Sequence, residues 1–226
     1  MSTVTEIQSL IHDLIDTSSS DFPVARMVRG MNKAQDKIVN IILQKESLGQ
    51  YDDTNYTDLA EGYLNIVSGQ EDYSLKEDEN FADLLTVHKV YVLGSATATE
   101  YVEIEKKGKF KTAGTGIPTA FRLNGKTLIF DIEPNYSSTN GIYVQFSRIP
   151  KPILTSDTTR ELGMPVTYHH LVALYTAYDF ARAKRMDNAN DILAEILREE
   201  VSLGLHIGKQ DFNANLVISP ETVDSI

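Results

Sequence analysis

The chain has 226 residues, 42% of them apolar, which is enough to bury a substantial core and too many for wholesale disorder. Asp and Glu outnumber Lys and Arg by 32 to 21, a formal charge of −11, which argues against a surface that wraps nucleic acid. Cysteine is absent, excluding disulfides and Cys-ligated metal, and no apolar run approaches the roughly 20 residues of a bilayer span. The N-terminus lacks a basic region followed by an apolar one, so a soluble, non-secreted chain is expected.

The first third reads as helical. Thr3 and Glu6 fit a capping box, and Val4, Ile7, Ile11 and Leu14 repeat at helical spacing, predicting a helix to about Ile15. Ser18 to Asp21 breaks the pattern. Phe22-Pro23 opens a second helix with Met27, Met31, Ala34, Ile38, Ile41 and Ile42 on its apolar face, and the two helices are expected to form a plain hairpin. Gly30 lies inside that helix at a cost of about 1 kcal/mol against Ala, which marks a close helix contact.

From Gln50 to Leu75 the chain passes from helix to strand through polar clusters. Asp52 to Asp58 is crowded with Asp, Asn and Thr, which favour turns over helix. Tyr63, Leu64, Ile66 and Val67, then Ser68 to Asp72, then Tyr73 and Leu75 read as an irregular hairpin.

The middle is β-rich. Thr86 to Leu93 is β-branched and aromatic, Tyr101 to Ile104 alternates, and Phe121 to Ile132 is a hairpin around Asn124-Gly125. Ile142 to Ile149 carries apolar side chains on both faces, as a well-buried strand does, and Pro150 and Pro152 end it. Thr155 to Thr159 is a polar linker.

Helix then returns. Leu171, Leu174, Tyr175, Tyr178 and Ala181 form a stripe, Asp187-Asn188 a break, and Ile192, Leu193, Ile196 and Leu197 a second helix. The segment from Gly204 to Ile226 holds too few apolar residues for a core of its own and reads as a tail or an arm. The fold class is therefore α+β: a helical bundle of N-terminal and C-terminal helix pairs, an inserted antiparallel β-rich lobe, and an extended C-terminal arm. The expected parts are 1–50 and 155–203 for the helical body, 51–154 for the lobe and 204–226 for the arm.

Signals for chemistry are weak. Gly114-Thr115-Gly116 lacks the remainder of a dinucleotide or phosphate loop and reads as a flexible turn. Asp53, Asn55 and Asp58 resemble the start of a calcium loop without its Gly or its terminal Glu. Adjacent His169 and His170 point about 100° apart on a helix, so one faces the core and one solvent, and they are not an i, i+4 zinc pair. No Gly-x-Ser-x-Gly elbow is present. An enzyme, a metal and a cofactor are not expected. Lys106, Lys107, Lys109 and Lys111 form a basic run that reads as a solvated hairpin tip, or as a contact with DNA or an acidic neighbour; Glu71, Asp72, Glu77, Asp78, Glu79 and Asp83 form an acidic counterpart.

Two blocks carry a family resemblance. The first is Tyr51, Asp52 and Asp53, Asn55 to Asp58, and Gly69, Gln70 and Tyr73. The second is Ile142 to Arg148, Pro150 and Pro152, Thr155 to Thr159, and Pro165 through Ala183. In this order they resemble the frame of the inserted β-region in bacteriophage head-to-tail connector adaptor proteins, whose members often carry Trp at Tyr51 and Pro at Ala60. The resemblance implies a structural virion protein of the neck, assembled in the bacterial cytoplasm. It implies a ring, usually of twelve copies, that lies under the portal protein, extends the DNA channel without specific binding, and offers a platform to tail or neck proteins. It places portal contacts in the arm, at Phe212, Leu216, Val217 and Ile218. The alternatives are a tail-completion or neck ring protein, and a non-viral helical interaction module or small chaperone.

Overall fold

A computed structural model describes residues 2–45, 53–76, 79–110 and 114–214, with side chains to 44 and to 207 at the ends of the second and fourth helices. The chain divides into two compact units, Met1–Asn55 with Pro150–Ile226, and Tyr56–Ile149. Residues 53–55 and 150–154, assigned above to the lobe, thus belong to the helical unit.

The helical unit holds four α-helices among the described residues: α1 Val4–Ile15, α2 Val24–Lys45, α3 His169–Lys184 and α4 Ala189–Ala214. The capping box forms as read: Glu6 N–H donates to Thr3 Oγ1 at 3.3 Å and Thr3 N–H to Glu6 Oε2 at 2.8 Å. Pro23 suits the entry to α2, because its carbonyl accepts from Arg26 and Met27 while its missing N–H has no helical partner to lose.

The expected plain hairpin of α1 and α2 is not the main packing. Both helices pack on α3, as does α4. Leu171 to Ala177 are consequently buried without interruption, so this half of α3 is enclosed on all sides and not striped as its sequence suggested. The small residues Ala173, Ala177 and Ala181 let neighbours approach. At Gly30 the approach is closest: a Cβ there would lie 2.7 Å from Thr176 Cγ2, which is the helix contact Gly30 was read to mark. Thr176 satisfies its own buried hydroxyl by donating to Val172 O at 2.8 Å. Arg185, in the left-handed conformation at φ 55°, ends α3. The fourth helix then runs through Gly204 to Ala214, past the expected end at 203, because tertiary packing at Leu203 and Ile207 holds the helix beyond a weak helix former.

The β unit contains β1 Glu61–Ile66, β2 Asp72–Ser74, β3 Leu84–Leu93, β4 Tyr101–Lys106, β5 Thr115–Gly116, β6 Ala120–Asn124, β7 Thr127–Phe130, β8 Glu133–Pro134 and β9 Ser138–Arg148. Seven of them form one sheet in the order β1-β9-β3-β4-β6-β7-β2, antiparallel except for the β4·β6 pair. The irregular hairpin expected over 59–75 is overturned: β1 pairs with β9 and β2 with β7, at opposite edges. Only five residues join Ile66 to Asp72. They span at most about 20 Å, whereas six flat inter-strand gaps would need about 29 Å, so the sheet curls until its edges approach. Phe81, Phe121, Phe130 and Phe146 fill the space it encloses. Tyr73 fastens the edge-to-edge loop, its hydroxyl accepting from Val67 N–H at 3.2 Å and donating to Gln70 O at 3.0 Å.

Other strands follow the sequence. β9 is paired on both sides, by β1 and β3, and largely buried from Gly141 onward, and Asn124 pairs with Thr127 across a tight turn in which Gly125 has φ 61°. The Gly114 turn is more ordered than expected, since Thr115–Gly116 pairs in parallel with Glu133–Pro134.

Candidate docking surfaces

The Asp-rich turn is a structural knot of the helical unit. Asp53, read above beside a calcium-loop pattern, is buried, and its Oδ1 accepts from the backbone and side-chain nitrogens of Asn55 at 2.8 and 2.9 Å. Its Oδ2 accepts from Lys151 N–H at 2.9 Å. Asn55 Nδ2 donates onward to Glu161 O at 3.1 Å, and Thr54 N–H to Gly163 O at 3.3 Å. Each of these oxygens accepts from protein donors, which offsets the cost of burying the carboxyl group. Asp58 is elsewhere, in the β unit, where it accepts from buried Arg148 Nη1 at 3.0 Å while that guanidinium lies 3.9 Å from the Tyr56 ring centroid. Among the described residues no group of three or more His, Cys, Asp or Glu side chains is placed to share a metal.

The helical unit carries a groove of about 380 Å³ between α2, α3 and α4, lined by Ala34, Lys37, Tyr175, Ile196, Leu197 and Glu200 among others. Lys37 sits 3.9 Å above the Tyr175 ring and 3.3 Å from Glu200, and Tyr175 donates its hydroxyl to Glu200. Burial, and then the Glu200 carboxylate, push the Tyr175 phenol up. The rim is therefore ionic and the floor apolar. Leu197, one of the apolar positions read above for the second helix, is exposed on the groove's edge.

The outward face of the sheet carries a run of tyrosines that the sequence reading passed over. Register places Tyr63 opposite Tyr143 and Tyr143 opposite Tyr91, with ring centroids 5.1 and 5.3 Å apart, and Tyr101 lies 5.6 Å from Tyr143. Strand alternation marks Tyr91, between the buried Val90 and Val92, and Tyr143, between the buried Ile142 and Val144, as outward, whereas Tyr63 and Tyr101 join them only through register. Burial, then its hydrogen bond with Glu61, push the Tyr143 phenol up to about 12, so this ring stays neutral at neutral pH.

Lys106, Lys107 and Lys109 are exposed, and Lys107 Nζ is 3.4 Å from Glu105 Oε2; Lys111 lies outside the described residues. The expected hairpin tip is corrected here: β4 pairs in parallel with β6, so the basic run begins a crossover and cannot be a two-strand turn. Glu77 and Asp78 of the acidic counterpart also fall outside the described residues. The histidines divide as read: His169 is buried with Nε2 2.9 Å from Met164 O, and His170 is partly exposed, 3.4 Å from Glu199. Of the arm residues, Phe212 falls within the span of α4 but its side chain, with Leu216, Val217 and Ile218, lies outside what is described.

The family model described as SU10 adaptor protein matches residues 2–206, which takes in both units. No curated protein matches the chain.

Proposed function

The chain belongs to the SU10 adaptor protein family, a family of phage structural adaptors, and on that footing we propose that it is the head-to-tail connector adaptor of a tailed phage. In this reading copies form a ring of about twelve beneath the portal, continue the DNA channel and present the platform for tail or neck proteins. The match over residues 2–206 carries the reading, because it spans the helical body and the β unit together.

Assembly is by surface complementarity. The acidic excess of the chain opposes association of free copies, so a template is needed to align them. Phe212, Leu216, Val217 and Ile218 supply the portal contact, as apolar side chains in a segment whose sequence holds too few of them for a core of its own. DNA passes the ring without sequence-specific contacts, since phosphate neutralisation needs more clustered cations than a net charge of −11 leaves. The test is to delete residues 208–226. The truncated chain is expected to keep its fold by circular dichroism and to lose binding to purified portal; unchanged binding overturns the assignment of the arm.

A further inference from the structure

We propose that the exposed side of α4 is a docking surface for a second copy of this chain, set against the cationic side of that copy's α2. Leu193, Leu197, Val201 and Leu205 recur every fourth residue and so fall along one side of the helix. Leu197, Val201 and Leu205 are 54%, 63% and 61% exposed, which is far from the burial of ordinary helix aliphatics and marks one continuous apolar line. Asn190, Ala194 and Gly204 share that side, so from 190 to 205 it carries no charge. Exposed Asp191 and Glu195 run along the edge away from the groove. Arg198, on the same edge, folds back along the helix, its Nε donating to Ala194 O at 3.4 Å.

Charge selects the occupant. On α2, Arg26, Arg29, Lys33 and Lys37 are exposed at spacings of three and four, against one carboxylate, Asp36. In a chain of net charge −11 this is a segregated positive face, and it suits a surface that brings an apolar strip with carboxylates beside it. The side of α4 just described has that composition. Lys33 and Lys37 already meet Asp179 at 2.6 Å and Glu200 at 3.3 Å, but the lysine side chains are 75% and 55% exposed and so remain open to a further carboxylate. Arg29 makes no ion pair among the described residues. The groove between α2 and α4, about 380 Å³, gives the incoming aliphatic side chains an apolar floor at Ala34, Tyr175 and Ile196. This proposal rests on the reading that copies of the chain assemble with one another.

The experiment uses the full chain, with mass measured by light scattering and native mass spectrometry over a range of concentrations and after addition of portal rings. Leu197→Asp with Val201→Asp is expected to abolish self-association, with helix content unchanged. Asp191→Lys with Glu195→Lys is expected to do the same, and adding Arg29→Glu with Lys33→Glu to that variant is expected to restore it, because the reversed charges again oppose each other. Assembly that survives the α4 substitutions, or a charge-reversed α4 that the α2 reversal fails to rescue, overturns the proposal while leaving the ring reading in place. An unaltered chain that stays monomeric at every concentration and on portal overturns both.

Discussion

Asp53 and Gly163 fit against each other so closely that a Cβ on the glycine would lie 1.4 Å from Asp53 Oδ1. Two stretches more than a hundred residues apart in sequence, the exit from α2 and the entry to α3, are thus tied through one carboxylate that also holds Lys151 N–H. The glycine is required for space, not for backbone conformation, since its φ is not among the positive ones.

Removing this knot has a defined cost. Asp53→Ala takes the acceptor from the part-buried N–H groups of Asn55 and Lys151 and is expected to destabilise the fold by about 1–3 kcal/mol in urea unfolding, since water replaces part of what each group loses. Gly163→Ala is expected to destabilise comparably by steric conflict. The double variant should be less damaged than the sum of the two, because the Asp53 side chain that clashes is gone; strict additivity would show that the contact is not the source of either loss.

Gly30 and Thr176 offer a second cycle. Alanine at position 30 gains about 1 kcal/mol of helix propensity, yet its Cβ meets Thr176 Cγ2 at 2.7 Å. Gly30→Ala alone is therefore expected to be destabilising, and in a Thr176→Ser background, which lacks that methyl, to become neutral or stabilising. Thermal unfolding of the four proteins reads the change of sign.

The pH dependence of the β unit turns on His88. It lies at the bulge between Val87 and Lys89, its Nε2 2.6 Å from the buried Ser147 Oγ. Burial, and then the charge of Lys106, hold its pKa below the ordinary 6.5. The unfolded chain therefore binds the proton more readily, so His88 contributes stability that is complete above 6.5 and is lost as pH falls through that value toward the folded pKa. His88→Gln is expected to flatten the fall in melting temperature between about pH 7 and about pH 5. An unchanged slope would remove His88 as its cause.

Local signals predicted local structure well. The Thr3-Glu6 box, the Asn124-Gly125 turn and the Gly30 contact each rest on a few neighbouring residues and a single physical cause, and each is in the fold. Pairings between distant segments were less legible. Tyr63 to Leu75 reads as a hairpin because adjacent strands usually pair, but β1 and β2 find partners in β9 and β7, a choice made by the curled sheet as a whole. The stripe on α3 looked one-sided because nothing in its own sequence shows that three helices will surround it. Among the candidate surfaces, the lysine run was visible from charge alone, whereas the full tyrosine face and the exposed line Leu197, Val201 and Leu205 emerge only when strand register and helix packing decide which apolar residues are left outside.

The most direct measurement of the adaptor account is electron cryomicroscopy of purified portal rings mixed with the full chain. The account predicts an added ring of density beneath the portal, continuous with its channel, that disappears when residues 208–226 are deleted. Portal rings that remain bare at saturating protein, with the chain folded and monomeric beside them, would contradict it.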